Sequence, residues 1–162
     1  MKGLMATIII GIGNPVLTDD SVGIKVVRAL AERLPAQKDT VIRELSAGGL
    51  RLMEALEGFE RAIIIDAIVT EGGEAGSVYR LTPSGLMQTR NTCSTHDANF
   101  VDALELGRSL GLLLPREIGI WAIEAGDVRT FSEELTGPVR AAVPRVVEAV
   151  VRRLNESGRQ AA

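Results

Sequence analysis

The stretch Ala6–Val27, ATIIIGIGNPVLTDDSVGIKVV, decides the fold. It opens with a β-branched run that ends in glycine, the signature of a buried strand. A Gly-x-Gly turn follows at Gly11 and Gly13. Thr18 or Asp19 is then placed to cap a helix, its side-chain oxygen accepting an N–H of the first turn. Val22, Val26, Ala29, Leu30 and Leu34 fall on one face at helical spacing. Pro35 ends the helix. A strand, a tight glycine turn and a helix in this order form the first half of a strand–helix–strand unit.

The rest of the chain repeats that alternation. TVIREL, Thr40–Leu45, reads as a second strand. Gly48 and Gly49 open a short helix with Leu52, Met53 and Leu56 inside, closed by Gly58. AIIIDAIV, Ala62–Val69, is a continuous apolar run and predicts a central strand covered on both faces. A short strand, Ser77–Leu81, is expected to return antiparallel to it. Thr82–Thr95 has no periodicity and reads as a long loop. Ser94-Thr95-His96-Asp97 is a helix-entry signal, continued by Phe100, Ala103, Leu104 and Gly107. EIGIWAIE, Glu117–Glu124, is a further strand. A last helix is expected from Pro138 to Leu154, with Val139, Val143, Val146, Val147, Val150 and Leu154 inside. Pro144 within it costs about 3 kcal/mol in a regular helix and predicts a kink or restart. Residues Asn155–Ala162 are expected to fray.

These elements predict one α/β domain over residues 1–162. It is three-layered, with a mostly parallel twisted sheet of about five strands and helices on both faces. A chain of 162 residues is long enough to bury most of its apolar surface.

Composition removes several functions. The net charge is -3 and aromatic residues make up 3% of the chain. Neither a basic footprint for phosphates nor a stacking platform for bases is present, so nucleic acid is not the expected partner. The apolar run near the start is too short to span a bilayer. A single cysteine, Cys93, allows no internal disulfide and suits a reducing cytoplasm. A single histidine, His96, rules out any site that needs two.

Three features converge beyond the carboxyl ends of the strands, where sites form in open α/β sheets. Asp19 and Asp20 follow the first strand. Asp66 lies inside the central apolar strand, where a lone buried carboxylate is costly and needs a partner, a proton or a metal. His96 opens a helix, whose positive end favours the neutral imidazole that binds metals or takes protons. Each has a plainer reading: a cap, a buried acceptor of backbone N–H groups, a packing residue. If Asp19 caps the helix, Asp20 is free to face the strand ends. Two carboxylates and one imidazole suit nickel or zinc and leave coordination positions open. A nucleotide loop fits less well. The third glycine of GxGxxG is missing, Pro15 removes an N–H, and two acids would repel a pyrophosphate. Cys93 lacks a nucleophile turn and reads as a bystander.

Taken together, these motifs resemble the endopeptidases that mature nickel–iron hydrogenases. Gly11-Ile-Gly13-Asn14 with Thr18-Asp19-Asp20-Ser-Val-Gly23 matches that family's opening signature. IIIDAIV carries its second acid, Asp66, and STHDANFVDALELG its histidine, His96. ELSAGGLRLMEAL resembles the segment between the first two motifs. The likeness spans about residues 6–150. It implies that Asp20, Asp66 and His96 are both metal ligands and catalytic residues, with Gly11, Gly13, Asn14 and Asp19 as the supporting loop. The nickel would arrive in the hydrogenase large-subunit precursor, the partner, and no resident cofactor is expected. The implied reaction removes a C-terminal extension, and the family is grouped with aspartic-type endopeptidases. A monomer is expected. A nickel chaperone or sensor using the same residues without hydrolysis is the alternative of a different class, and a nucleotide-binding α/β domain is the third.

Overall fold

The computed structural model describes residues 6–35, 39–88 and 100–160, without the side chains of 86–88 and 158–160. Five strands form one sheet: β1 (Thr7–Ile12), β2 (Thr40–Leu45), β3 (Arg61–Ile68), β4 (Val78–Leu81) and β5 (Glu117–Glu124). Their order is β2-β1-β3-β5-β4. β1 pairs parallel with β2 and β3, and β3 pairs parallel with β5. β3 is therefore central, as its unbroken apolar run requires. Seven of its eight residues are buried.

β4 is antiparallel, but its neighbour is β5 rather than β3. The expected return onto β3 does not form because β5 occupies that edge. Arg80 on β4 instead stacks over the Trp121 ring of β5, 4.8 Å from its centroid. The connection between β3 and β4 is tied to β5 as well. The buried carboxylate of Glu124 accepts the Thr70 N–H at 2.7 Å and the Thr70 hydroxyl at 2.8 Å.

Helices cover both faces. α1 (Val22–Arg33) and α5 (Gly137–Gln160) pack on one side, through Val26, Leu30, Val139, Val146 and Val150 against Ile9, Ile63 and Ile65. α2 (Leu50–Leu56) and α4 (Phe100–Ser109) pack on the other, through Leu52, Leu56, Phe100 and Leu104 against Ile8, Ile10 and Ile64. Each helix buries the stripe its periodicity predicts. Alternation along β1 and β3 supplies both cores from one pair of strands.

Two elements depart from the sequence reading. The first half of the presumed loop is a helix, α3 (Pro83–Gln88). Thr82 caps it, its hydroxyl accepting the Gly85 N–H at 3.2 Å, and Pro83 takes the first helical position, where its missing N–H costs nothing. The remainder, 89–95, lies outside the described residues. Second, α5 runs through Pro144 to Gln160, past the expected end at Leu154. Val139, Ala142, Val146 and Val150 are all fully buried around the proline. That packing outweighs the hydrogen bond lost at the proline, and the helix does not restart there.

Candidate active site at the strand ends

β1 ends at Ile12, and the chain turns back over its own strand within a few residues. Gly13, at φ 150°, permits this turn. A Cβ there would lie 1.9 Å from the Asp20 carbonyl oxygen. Gly23 lets α1 begin directly on the sheet. A Cβ at that position would sit 2.3 Å from the Ile65 carbonyl oxygen and 2.4 Å from that of Ile12. The start of α1 is thus wedged between β1 and β3.

Between turn and helix lies a 3-10 turn, Thr18–Ser21. Neither it nor α1 has a side-chain cap. The expected cap by Thr18 or Asp19 is therefore not formed, because both side chains are engaged by a distant segment. Thr18 donates its hydroxyl to the Thr130 carbonyl. The Asp19 carboxylate, 0% exposed, accepts four hydrogen bonds from the connection between β5 and α5. Oδ2 takes the Gly126 N–H at 2.8 Å, the Asp127 N–H at 2.9 Å and the Thr136 hydroxyl at 2.8 Å. Oδ1 takes the Thr136 N–H at 2.8 Å.

Asp20 has a different environment. It is half-buried, and Oδ2 accepts the Asn14 N–H at 2.9 Å. Among the described residues its other oxygen makes no hydrogen bond. Asp66 is 5% exposed near the end of β3, and its Oδ1 accepts the Ala67 N–H at 2.8 Å. By strand alternation it shares the face of Ile64, the face covered by α2 and α4. The 3-10 turn packs against β3, so Asp20 and Asp66 belong to one edge, above two adjacent strands. From β1 the chain passes outward to β2 and then back across to β3. That reversal makes the β1–β3 edge a topological switch point, the usual seat of a site in such sheets.

His96 and Cys93 lie outside the described residues. Among the described residues no three acids, histidines or cysteines group closely enough to hold a metal. Of the expected set of three, Asp20 and Asp66 lie among the described residues.

The nucleotide reading fails on the donors of the turn. Gly13 N–H goes to the Leu45 carbonyl, Asn14 N–H to Asp20, Leu17 N–H to the Asn14 carbonyl and Asp20 N–H to the Leu17 carbonyl. Val16 N–H goes to the Asn14 side chain, and Pro15 has none to give. Thr18 and Asp19 donate to the carbonyls of Ser132 and Asp127. No N–H from Gly13 to Asp20 is left to face a phosphate.

The sequence reading passed over two residues of this edge, Glu124 and Thr136. Glu124 had a usable signal, since an acid ending EIGIWAIE is the same cue that singled out Asp66. Thr136 had none, because its partner Asp19 is 117 positions away. A cleft of about 600 Å³ opens at the same end of the sheet, between Gly48–Arg51 and the α4 residues Asp102, Ala103 and Leu106.

Comparison with known proteins shows the family and the fold. The hydrogenase maturation protease family matches residues 24–153. The hydrogenase 2 maturation protease of Escherichia coli is 27% identical over 158 residues, covering 97% of this chain and 95% of that protein. The hydrogenase expression/formation protein HupD of Rhizobium leguminosarum is 25% identical, covering 93% and 75%. Among solved structures, the hydrogenase maturating endopeptidase HybD from E. coli superposes with a TM-score of 0.82 at 26% identity, covering 95% of this chain and 94% of the other. HybD from Thermococcus kodakarensis gives 0.72 at 27% identity, covering 91% and 98%. A match over most of the chain, on a fold shared from end to end, makes this chain a member of the hydrogenase maturation protease family.

Proposed function

We propose that this chain is an endopeptidase that removes a C-terminal extension from the nickel-loaded large-subunit precursor of a nickel–iron hydrogenase. The observation that supports the reading is that the 3-10 turn carrying Asp20 packs against β3, the strand carrying Asp66, at the switch point between β1 and β3. Family membership supplies the class of reaction. Nickel is cargo of the substrate in this reading and marks a precursor as ready for cutting. Asp20 and Asp66 offer hard oxygen donors to it, and His96 supplies the nitrogen. Asp20 is suited to meet an incoming ion, being half-exposed with one oxygen not hydrogen-bonded among the described residues. Asp66, buried and on the neighbouring strand, is suited to fix its depth. Nickel held between enzyme and precursor would supply Lewis-acid polarisation of the scissile carbonyl, and Asp20 or Asp66 would take a proton from the attacking water. The chain works in this reading as a cytoplasmic monomer. No helix among the described residues is long and apolar enough to cross a membrane.

The test is to incubate the protein with nickel-loaded and nickel-free precursor and to read the mass of the product. The expected result is loss of a C-terminal peptide from the loaded form alone. Asp20→Ala, Asp66→Asn and His96→Ala should each abolish it. Equal cutting of both forms would remove nickel recognition from the proposal. Binding of loaded precursor without any cutting would turn the reading into a chaperone.

A further inference from the structure

The two members of the acidic pair have separate tasks, and the buried one has no part in the site as proposed so far. Asp19 sits one residue before Asp20, yet its carboxylate faces away from solvent into the connection between β5 and α5. Four donors from Gly126, Asp127 and Thr136 converge on its two oxygens at 2.8–2.9 Å. Four more bonds run alongside, among them the Asp19 N–H to the Asp127 carbonyl at 2.9 Å and the Thr18 hydroxyl to the Thr130 carbonyl. The Thr18 N–H meets the Ser132 carbonyl at 2.9 Å, and the Ser132 N–H meets the Val16 carbonyl at 3.0 Å. The 3-10 turn is thus laced along its length to a segment more than a hundred positions away.

We infer that Asp19 is a positioning residue: by anchoring the 3-10 turn to the β5–α5 connection, it fixes where the Asp20 carboxylate stands over the strand ends. The inference rests on the reading that Asp20 meets the precursor's metal. Its physical basis is a short lever. Asp19 and Asp20 share one peptide unit, so a shift of the first carries the second with it. A lone 3-10 turn is weakly held, since its hydrogen bonds are poorly aligned. Its local bonds include the Asp20 N–H to the Leu17 carbonyl, the Val22 N–H to the Asp19 carbonyl and the Ser21 hydroxyl to the Thr18 carbonyl. A buried carboxylate that accepts four hydrogen bonds supplies the rigidity that the turn lacks. Asp20 in turn reports its own place through the Asn14 N–H at 2.9 Å.

That reporter gives a test independent of catalysis. Hydrogen exchange at the Asn14 amide is measured in the folded protein, with Asp20→Ala defining the signal when the acceptor is gone. Asp19→Asn turns one oxygen into a donor facing other donors, and it should lower Asn14 protection by about tenfold. Thr136→Val removes one donor and should shift protection in the same direction by less, while Thr136→Ser keeps the hydroxyl and should restore it. Cleavage of nickel-loaded precursor is then measured well below each melting midpoint and expressed per folded molecule. A mispositioned Asp20 should lower kcat by roughly 10- to 100-fold for Asp19→Asn and raise KM for the nickel-loaded precursor, whose metal Asp20 meets in this reading. Unchanged Asn14 protection in folded Asp19→Asn or Thr136→Val overturns the inference, and so does unchanged kcat per folded molecule. If wild-type protein cuts no precursor, the processing reading fails, whereas the Asn14 amide still decides whether Asp19 positions Asp20.

Discussion

At the residue scale, neighbours in sequence occupy opposite physical worlds. Asp19 is sealed and satisfied, and Asp20 is half-open. A sequence reading sees two acids before a helix and assigns one to the cap, because acids at helix starts commonly serve there. It has no view of Thr136, whose position beside Asp19 is set by the whole fold. Asp66 was legible because a charge inside an apolar run is costly wherever the strand lies. Asp127 carries a prediction of its own. Its carboxyl is held below the usual Asp range by hydrogen bonds from Thr130 and from the backbone N–H groups of Arg129 and Thr130. A depressed folded pKa contributes stability above the unfolded value, about 3.9, and loses it as pH falls through the folded value. Wild type should therefore be more stable to urea than Asp127→Asn at pH 6. The gap should hold down to about pH 4 and close only below that. A gap that closed between pH 6 and 5 would show that another group is responsible.

At the scale of elements, close approach of backbone does what long side chains cannot. Gly23→Ala places a methyl against two carbonyl oxygens of β1 and β3, neither of which can yield without moving the sheet. The expected loss is about 3 kcal/mol, despite the gain of roughly 1 kcal/mol that alanine brings to a helix. Gly107→Ala in α4 offers the contrast. Its new methyl meets Met53 Sδ at 2.8 Å and Leu114 Cδ1 at 2.9 Å. Both are side-chain ends that can turn aside, so the cost should stay within about 1 kcal/mol. Urea denaturation of the two variants checks the pair, and the ranking is the point: a larger loss for Gly107→Ala contradicts it. Most elements were legible because period and burial agree, as in α1 and β3. α3 was missed although Thr82 and Pro83 spell a helix start, since the apolar periodicity that usually marks a helix is lacking there. At Pro144 local propensity allows a restart, whereas tertiary packing carries one helix through.

At the scale of the molecule, alternating strands and helices announced a parallel sheet with two covered faces, and the family resemblance followed from the three motif blocks in order. The strand order was not legible in full. Where β4 lands depends on which edge β5 leaves open, and that is decided by contacts between segments far apart in the chain. The same distance places a limit on how the site comes into being. β1, α1, β2 and β3 can form a nucleus from the first part of the chain, and short-range contacts close early. The bonds from Asp19 to Thr136 close a loop spanning most of the sequence, so they wait for β5 and the start of α5. Pulsed hydrogen exchange during refolding should find the Asn14 amide among the last to be protected, well after Ile9 and Ile10. Protection of Asn14 together with β1 would refute that order. The four-bonded carboxylate of Asp19 is thereby also a completion latch: a chain released or folded short of residue 136 would carry the acidic pair but not the bonds from Thr136 that hold its turn to the β5–α5 connection.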